Sequence, residues 1–528
     1  MHLDRRTLLA GAAAATLARP ALTQPERNRV LRFIPYADLN TLDTLWTTVD
    51  ITRDHGYLIY DTLYGADDTL VPRPQLAEGH VFEPDNRACT ITLRSGTRFH
   101  DGEPIRAQDC VASLRRWMAM APMGQTVAAA TDELTVLDDR RFRFRFKKPF
   151  PALINILGQV VAPVPVIMPE RIAQTPPDKQ ITDTTGSGPF RYKADEFRAG
   201  NLVVYERFAD YVPTPAAGKG LVAGPKIAHF DRVEWHRIPD PSTAGAALQR
   251  KEMDWFADPP PEMIELLKRD RGVEVGRMEL LPAVSVMRLN ALHPIFNDKR
   301  MRQALLPAID QSDFMIAAVG TDTERYQVGT GFFPPGSPSA SDAGLAPLKG
   351  PRDLAKAKQL FKDAGYAGQT VRLLGNSGTG VTGQLALVAA DLFRKLDLNL
   401  DTALLESTAV AQRRRSMEPV ERGGWSVSCW SFPGLMFENP ATHILLRGNG
   451  KDAWFGWPTI PKLEELRDAW LAAPDAETQK RLAREIQVVG MDELPCIPLG
   501  VSYKYTALSR DLQDRVPGLP IFWNIRRA

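Results

Sequence analysis

The chain has 528 residues, of which 44% are hydrophobic and 24% charged, the balance of a folded soluble protein. Lys+Arg (65) against Asp+Glu (63) leaves a formal charge of +2, without the basic excess of a nucleic-acid binder or the acidic excess of a disordered chain. Four cysteines are too few for a disulfide scaffold, and the length predicts about three domains with a sizeable core.

The first segment reads as an address. Arg5-Arg6 precede an apolar run from Leu8 to Ala18, about half of what a membrane-spanning helix needs. Small residues follow it. The pattern predicts an export signal of the twin-arginine type, residues 1–23, cleaved after Thr23. No cysteine precedes Cys89, so the lipoprotein route is closed. The leader holds three arginines and one aspartate, which accounts for the whole positive excess. The mature chain is therefore expected to be formally neutral, soluble and outside the cytoplasm.

Strand-like and helix-like runs then alternate, the α/β pattern. Val30–Pro35 predicts a first strand. Ala88–Leu93 and Phe142–Phe146 alternate polar and apolar residues, as half-buried antiparallel strands do. Arg106–Met118 predicts an amphipathic helix burying Val111, Leu114 and Met118. A turn-rich break at Thr182–Pro189 is followed by strands at Asn201–Tyr205 and Val233–Ile238 and a helix at Ser242–Gln249. Leu281–Asn290 predicts a strand with Pro282 at its start. Asn297 is read as the cap of a helix from Asp298 to about Ile309, bent by Pro307. Helices are expected at Arg352–Ala364, Gln384–Leu396, Pro461–Ala472 and Ala476–Val489, the last capped by Asp475. Thr370–Leu374, Leu398–Leu405 and Cys496–Tyr505 predict strands. The tail Pro517–Arg527 is apolar enough to dock.

Chemistry-bearing motifs are few. Gly378, Gly380 and Gly383 fit G-x-G-x-x-G between a strand and a helix, with Asp401 downstream. Three readings apply to that loop. It is a plain Gly-rich connection, or a helix N-terminus holding a carboxylate or phosphate of a ligand, or a dinucleotide site. The turn is long for a dinucleotide fingerprint and an exported protein meets little free NAD, so the first is preferred. There is no HExxH, GxSxG, calcium loop or CxxC. His229 and His236 are read as surface or structural. Cys89 and Cys110 are read as separate buried thiols, with a bridge as the alternative. No cofactor or metal is expected, and no residue pattern argues for an enzyme. One stretch reads as a pocket: Gly424–Gly434 packs Trp425, Trp430 and Phe432 among small polar residues such as Ser428. A second aromatic run, Trp454–Trp457, follows it.

The chain also resembles bacterial extracellular solute-binding proteins of the peptide/nickel class, family 5. The segment Leu93–Trp117 reproduces that family's F-H-D-G block with Cys110 in place of a valine. Leu42-Asp43, Tyr60–Leu63, Gly186–Phe190 and the Arg302, Ala304, Leu305 helix match further blocks in the family's order. The resemblance implies an α/β fold of the two-lobed periplasmic-binding-protein type (type II, cluster C), with an extra domain on the N-terminal lobe. It places the first lobe at residues 28–60, 187–281 and 500–528, the extra domain at 61–186 and the second lobe at 282–499. Leu281–Asn290 and Cys496–Tyr505 become the hinge crossings. It implies a periplasmic, monomeric substrate-binding component of an ABC importer, with a peptide-like solute and an inner-membrane permease as partners. Trp425, Trp430 and Phe432 would sandwich the solute. Ser377, Gly378, Thr379, Gly380 and Ser428 would orient it, and Tyr36 and Asp38 would face it from the first lobe. Dipeptide binders of the family carry an Asp where Ser428 stands, and an Arg near the loop Asn376–Gly383, which has none. A longer peptide held through its backbone, or a less charged solute, fits better, and nickel chelates stay open. The alternatives from other classes are an exported nucleotide-cofactor oxidoreductase and a binding protein serving as sensor or chaperone.

Overall fold

The computed structural model describes residues 29–216, 218–378 and 380–528. The predicted export signal and Thr379 lie outside the described residues. Two mixed sheets organise the molecule. The first has seven strands, with Val30–Ile34 near its centre, parallel to Arg232–His236 on one side and to Trp255–Phe256 on the other. A strand buried on both faces reads as a nearly continuous apolar run, and this one does so but for the half-buried Arg32. Phe33 meets the rings of Trp255 at 5.1 Å and Phe522 at 5.0 Å. The C-terminal tail therefore docks as expected, through Phe522, Trp523 and Ile525 in the core of this sheet.

The second sheet has six strands, ordered Tyr326–Gln327, Cys496–Ser502, Ala283–Leu289, Val427–Phe432, Val371–Asn376 and Leu400–Leu405. Ala283–Leu289 is buried throughout and antiparallel to both neighbours. Val371–Asn376 is parallel to both of its own, and helix Val381–Lys395 packs across them. The chain leaves the first sheet after Arg277, enters the second at Ala283, and returns between Ser502 and Tyr505. The Met278 amide donates to the Lys504 carbonyl at 2.9 Å, tying the two passages together.

A third, antiparallel sheet of four strands joins Ala77–Phe82, Ala88–Leu93, Arg141–Phe146 and Thr131–Val136. Its period-two pattern is plain: Phe142, Phe144 and Phe146 are buried while Arg141 and Arg145 are exposed. Helix Ala107–Met120 covers it with Val111, Leu114 and Trp117. On that helix the Arg116 guanidinium makes a buried 2.7 Å ion pair with Asp43. Asp43 also accepts from the Ile181 amide, so both charges have partners and the pair pins the early chain to this layer. All four cysteines are buried and unbridged.

Two expected elements differ. The strand read as Cys496–Tyr505 is two strands, Cys496–Ser502 in the second sheet and Tyr505–Ser509 in the first. Apolar runs on either side of a passage look continuous in sequence. The helix expected over Asp298–Ile309 is α-helical only at Lys299–Gln303, with Asp298, not Asn297, as its cap. Pro307 has no N–H for the Gln303 carbonyl, and a short 3₁₀ turn at Leu306–Ala308 takes over. Asp475 does cap its helix, accepting from the Thr478 amide.

Candidate functional site

The site begins with strand Val427–Phe432. Alternation places Ser428, Trp430 and Phe432 on one face. The strand ends where Pro433 and Gly434 turn against the passage between the sheets. A Cβ on Gly434 would lie 2.3 Å from the Pro282 carbonyl oxygen, so only glycine fits.

Phe432 and Trp430 both meet Trp454. The ring centroids are 5.6 Å and 5.7 Å apart, in edge-to-face geometry. Trp454 comes from an irregular loop, and a buried arginine fixes it there. Arg288, on the buried strand Ala283–Leu289, donates to the carbonyls of Trp454, Phe455, Leu445 and Pro495. Four carbonyl acceptors make the buried charge tolerable, and burial draws its pKa down to about 10. Gly456, at φ +104°, lets the loop close on Arg288, since a Cβ there would be 2.8 Å from the Arg288 Nε.

Beside the aromatic cluster lies a cavity of about 430 Å³, within the range of small-solute sites. One wall carries Arg414, Phe432, Met436, His443, Arg447, Trp454 and Arg467. The facing wall carries Thr48, Asp50, Met123, Thr126, Gln159, Val161 and Pro163. The first wall belongs to the second sheet and its helices. The facing wall comes from chain that precedes the passage at residues 278–282.

The charges in the cavity are unevenly balanced. Arg447 makes a bidentate pair with Glu464 at 3.0 Å. Burial opposes ionisation of Glu464, but these bonds and the Gly448 amide hold its pKa below the usual value. Asp50 is taken by Arg53 at 2.9 Å. Burial lowers Arg467 to about 10, helped by the nearby Arg447. His443 is pushed by burial to about 3, so it is neutral at ordinary pH, and its Nε2 meets the Phe332 carbonyl at 3.1 Å. Arg414 stacks over Phe455 at 4.8 Å and Trp430 at 5.1 Å.

The sequence-selected residues fall in several places. Phe432 lines the cavity, and half-buried Trp430 stands behind it. Trp425 is 1% exposed, packs on Trp457 at 6.1 Å, and donates its Nε1 to the Arg414 carbonyl. Ser428 is fully buried and its hydroxyl donates to the Leu374 carbonyl at 2.7 Å. Ser377 is exposed and bonds Glu406, while Gly378 and Gly380 stand in open space before helix Val381–Lys395. Asp401, the acid of the dinucleotide pattern, is paired with Arg372 at 2.6 Å. Tyr36 lines a separate, smaller cavity at the passage between the sheets and donates to Asp54 at 2.9 Å. Asp38 pairs with Arg237 at 2.8 Å. Sequence reasoning missed Arg414, Arg447 and Arg467. Arg414 sits in a run of arginines that reads as solvated charge. No metal-ligating cluster of three or more groups occurs among the described residues, and no helix among them is long and apolar enough to cross a membrane.

Comparison with known proteins gives a consistent result. Residues 71–446 match the model of the bacterial extracellular solute-binding proteins, family 5 Middle. A probable peptide ABC transporter periplasmic-binding protein of Sinorhizobium fredii is 34% identical over all of both chains. A glutathione-binding protein of Salmonella typhimurium is 26% identical over 90% of each chain. The crystal structure of a dipeptide binding protein from a Pseudoalteromonas species, in complex with Met-Leu, superposes with a TM-score of 0.76 at 20% identity, covering 94% of this chain and all of the other. The two-sheet architecture described above is thus a bilobed α/β binding-protein fold.

Proposed function

Because the chain belongs to family 5 of the bacterial extracellular solute-binding proteins, we propose that it is the periplasmic substrate-binding component of an ABC importer. It takes a peptide-like solute into the cavity between the lobes and hands it to a membrane permease. The observation that carries this reading is the cavity itself. Its aromatic wall and its facing wall belong to parts of the chain separated by the passages at 278–282 and 503–504. A solute touching both walls would favour a closed arrangement of the lobes, the form a permease would recognise.

In this reading the first lobe comprises residues 28–60, 187–281 and 500–528. The four-stranded sheet belongs to an extra domain, 61–186, and the second lobe is 282–499. The protein acts as a monomer after export through the twin-arginine signal. Phe432, Met436 and Trp454 give the solute its apolar contacts, and Trp430 backs Trp454 and Arg414. Trp425 and Ser428 act from behind, one holding the Arg414 backbone and the other locking the strand to its neighbour.

Thermal-shift screening of the mature protein against short peptides tests the assignment. A peptide that raises Tm in the wild type should raise it far less in Trp454→Ala. An undiminished shift in that variant would discard the cavity as the site.

A further inference from the structure

We infer that the solute carries a carboxylate and that Arg414 receives it. This rests on the cavity being the solute site, and it adds the charge of the solute and the residue that reads it. Three arginines line the cavity against one acid, Asp50. Arg447 is neutralised by Glu464. Arg467 has no ion pair among the described residues and its Nε is unpartnered, but it is buried and its Nη2 donates to the Ala441 carbonyl at 3.3 Å. The Arg414 guanidinium has no hydrogen bond or ion pair with any described residue, and its Nε is buried without a partner.

Its surroundings suit an anion. The faces of Trp430 and Phe455 press on the guanidinium, which strips water from it and leaves its edge to make bonds. Burial and the neighbouring Arg415 hold its pKa below the ordinary range, the direction expected of a cation lacking a counter-charge. A planar guanidinium matches a carboxylate through two parallel N–H···O bonds. The opposite polarity is poorly hosted. The one acid on the cavity wall, Asp50, is already paired with Arg53, which it shares with Asp54, and Ser428 spends its hydroxyl on Leu374. A ligand ammonium would have to compete with Arg53 for Asp50.

The test uses the mature protein and N-acetylated alanine peptides of two to four residues, each as free acid and as C-terminal amide, with inorganic phosphate as a further probe. Isothermal titration should show binding of the free acids, with the amides at least about tenfold weaker. Arg414→Gln should remove that discrimination, and Arg414→Lys should restore part of it. The Trp425 bond to position 414 uses the main-chain carbonyl, so neither variant removes it. Equal binding of amides, preference for phosphate, unchanged discrimination in Arg414→Gln, or no binding of any free acid would overturn the inference. Trp454→Ala separates this failure from that of the cavity. Amide binding lost in Trp454→Ala would leave the cavity as the site and remove only the carboxylate. Binding indifferent to Trp454→Ala would remove both.

Discussion

A buried acid near the cavity ties single-residue chemistry to pH. Glu438 is 9% exposed and burial raises its pKa to about 8, against the bond it accepts from Asn439. An unfolded glutamate titrates near 4.5. Below that value the group is protonated in both states and its contribution to stability is whole. As pH rises towards 8 the unfolded state releases the proton and the folded state keeps it, so stability falls by up to about 1.4 kcal/mol per pH unit. Glu438→Gln should therefore match the wild type in Tm near pH 4.5 and exceed it by several degrees at pH 8. Equal melting curves at pH 8 would show that Glu438 is ionised in the fold. At this scale the sequence was legible where composition is unusual. Trp430 and Phe432 stood out as large aromatics among serines. Arg414 did not, because its neighbours in sequence are also arginines and its partners are aromatic rings from residues 430 to 455. Which of three adjacent arginines faces a cavity is decided by the end of helix Ser407–Arg413, not by composition.

At the scale of elements, the turn after Val427–Phe432 couples the aromatic wall to the passage between the sheets. Gly434 sits so close to Pro282 and Leu281 that a methyl group requires the backbone to move. Gly434→Ala should lower Tm by several degrees and weaken solute binding together, since Phe432 and the passage shift as one. A variant with wild-type stability and affinity would show that the turn is not clamped. Most elements were legible because their periodicity is strong. Ala88–Leu93 appears with the expected bounds, and Phe142–Phe146 gains one residue. The failures share a cause. A strand that changes sheets at Tyr503 and Lys504, and a helix stopped by the missing N–H of Pro307, keep the apolar pattern of a continuous element. Tertiary partners alone divide them.

At the scale of the molecule, the two sheets are joined by two adjacent passages, and the cavity is built from both sides of them. The family blocks between Leu42 and Ile309 made the fold legible, since they combine tight turns, as at Asp101-Gly102, with buried positions such as Tyr60 and Leu305. The walls of the cavity were not, because they come from residues 48–50, 122–126 and 159–163 on one side and 414–467 on the other. No local pattern links segments so distant. Hydrogen–deuterium exchange of the mature protein, with and without a short peptide that raises its Tm, tests the central claim most directly. A solute held between the walls should slow exchange at 48–59, 122–130 and 159–163 together with 430–455. Protection confined to one wall, or centred on the loop at 376–383, would contradict it.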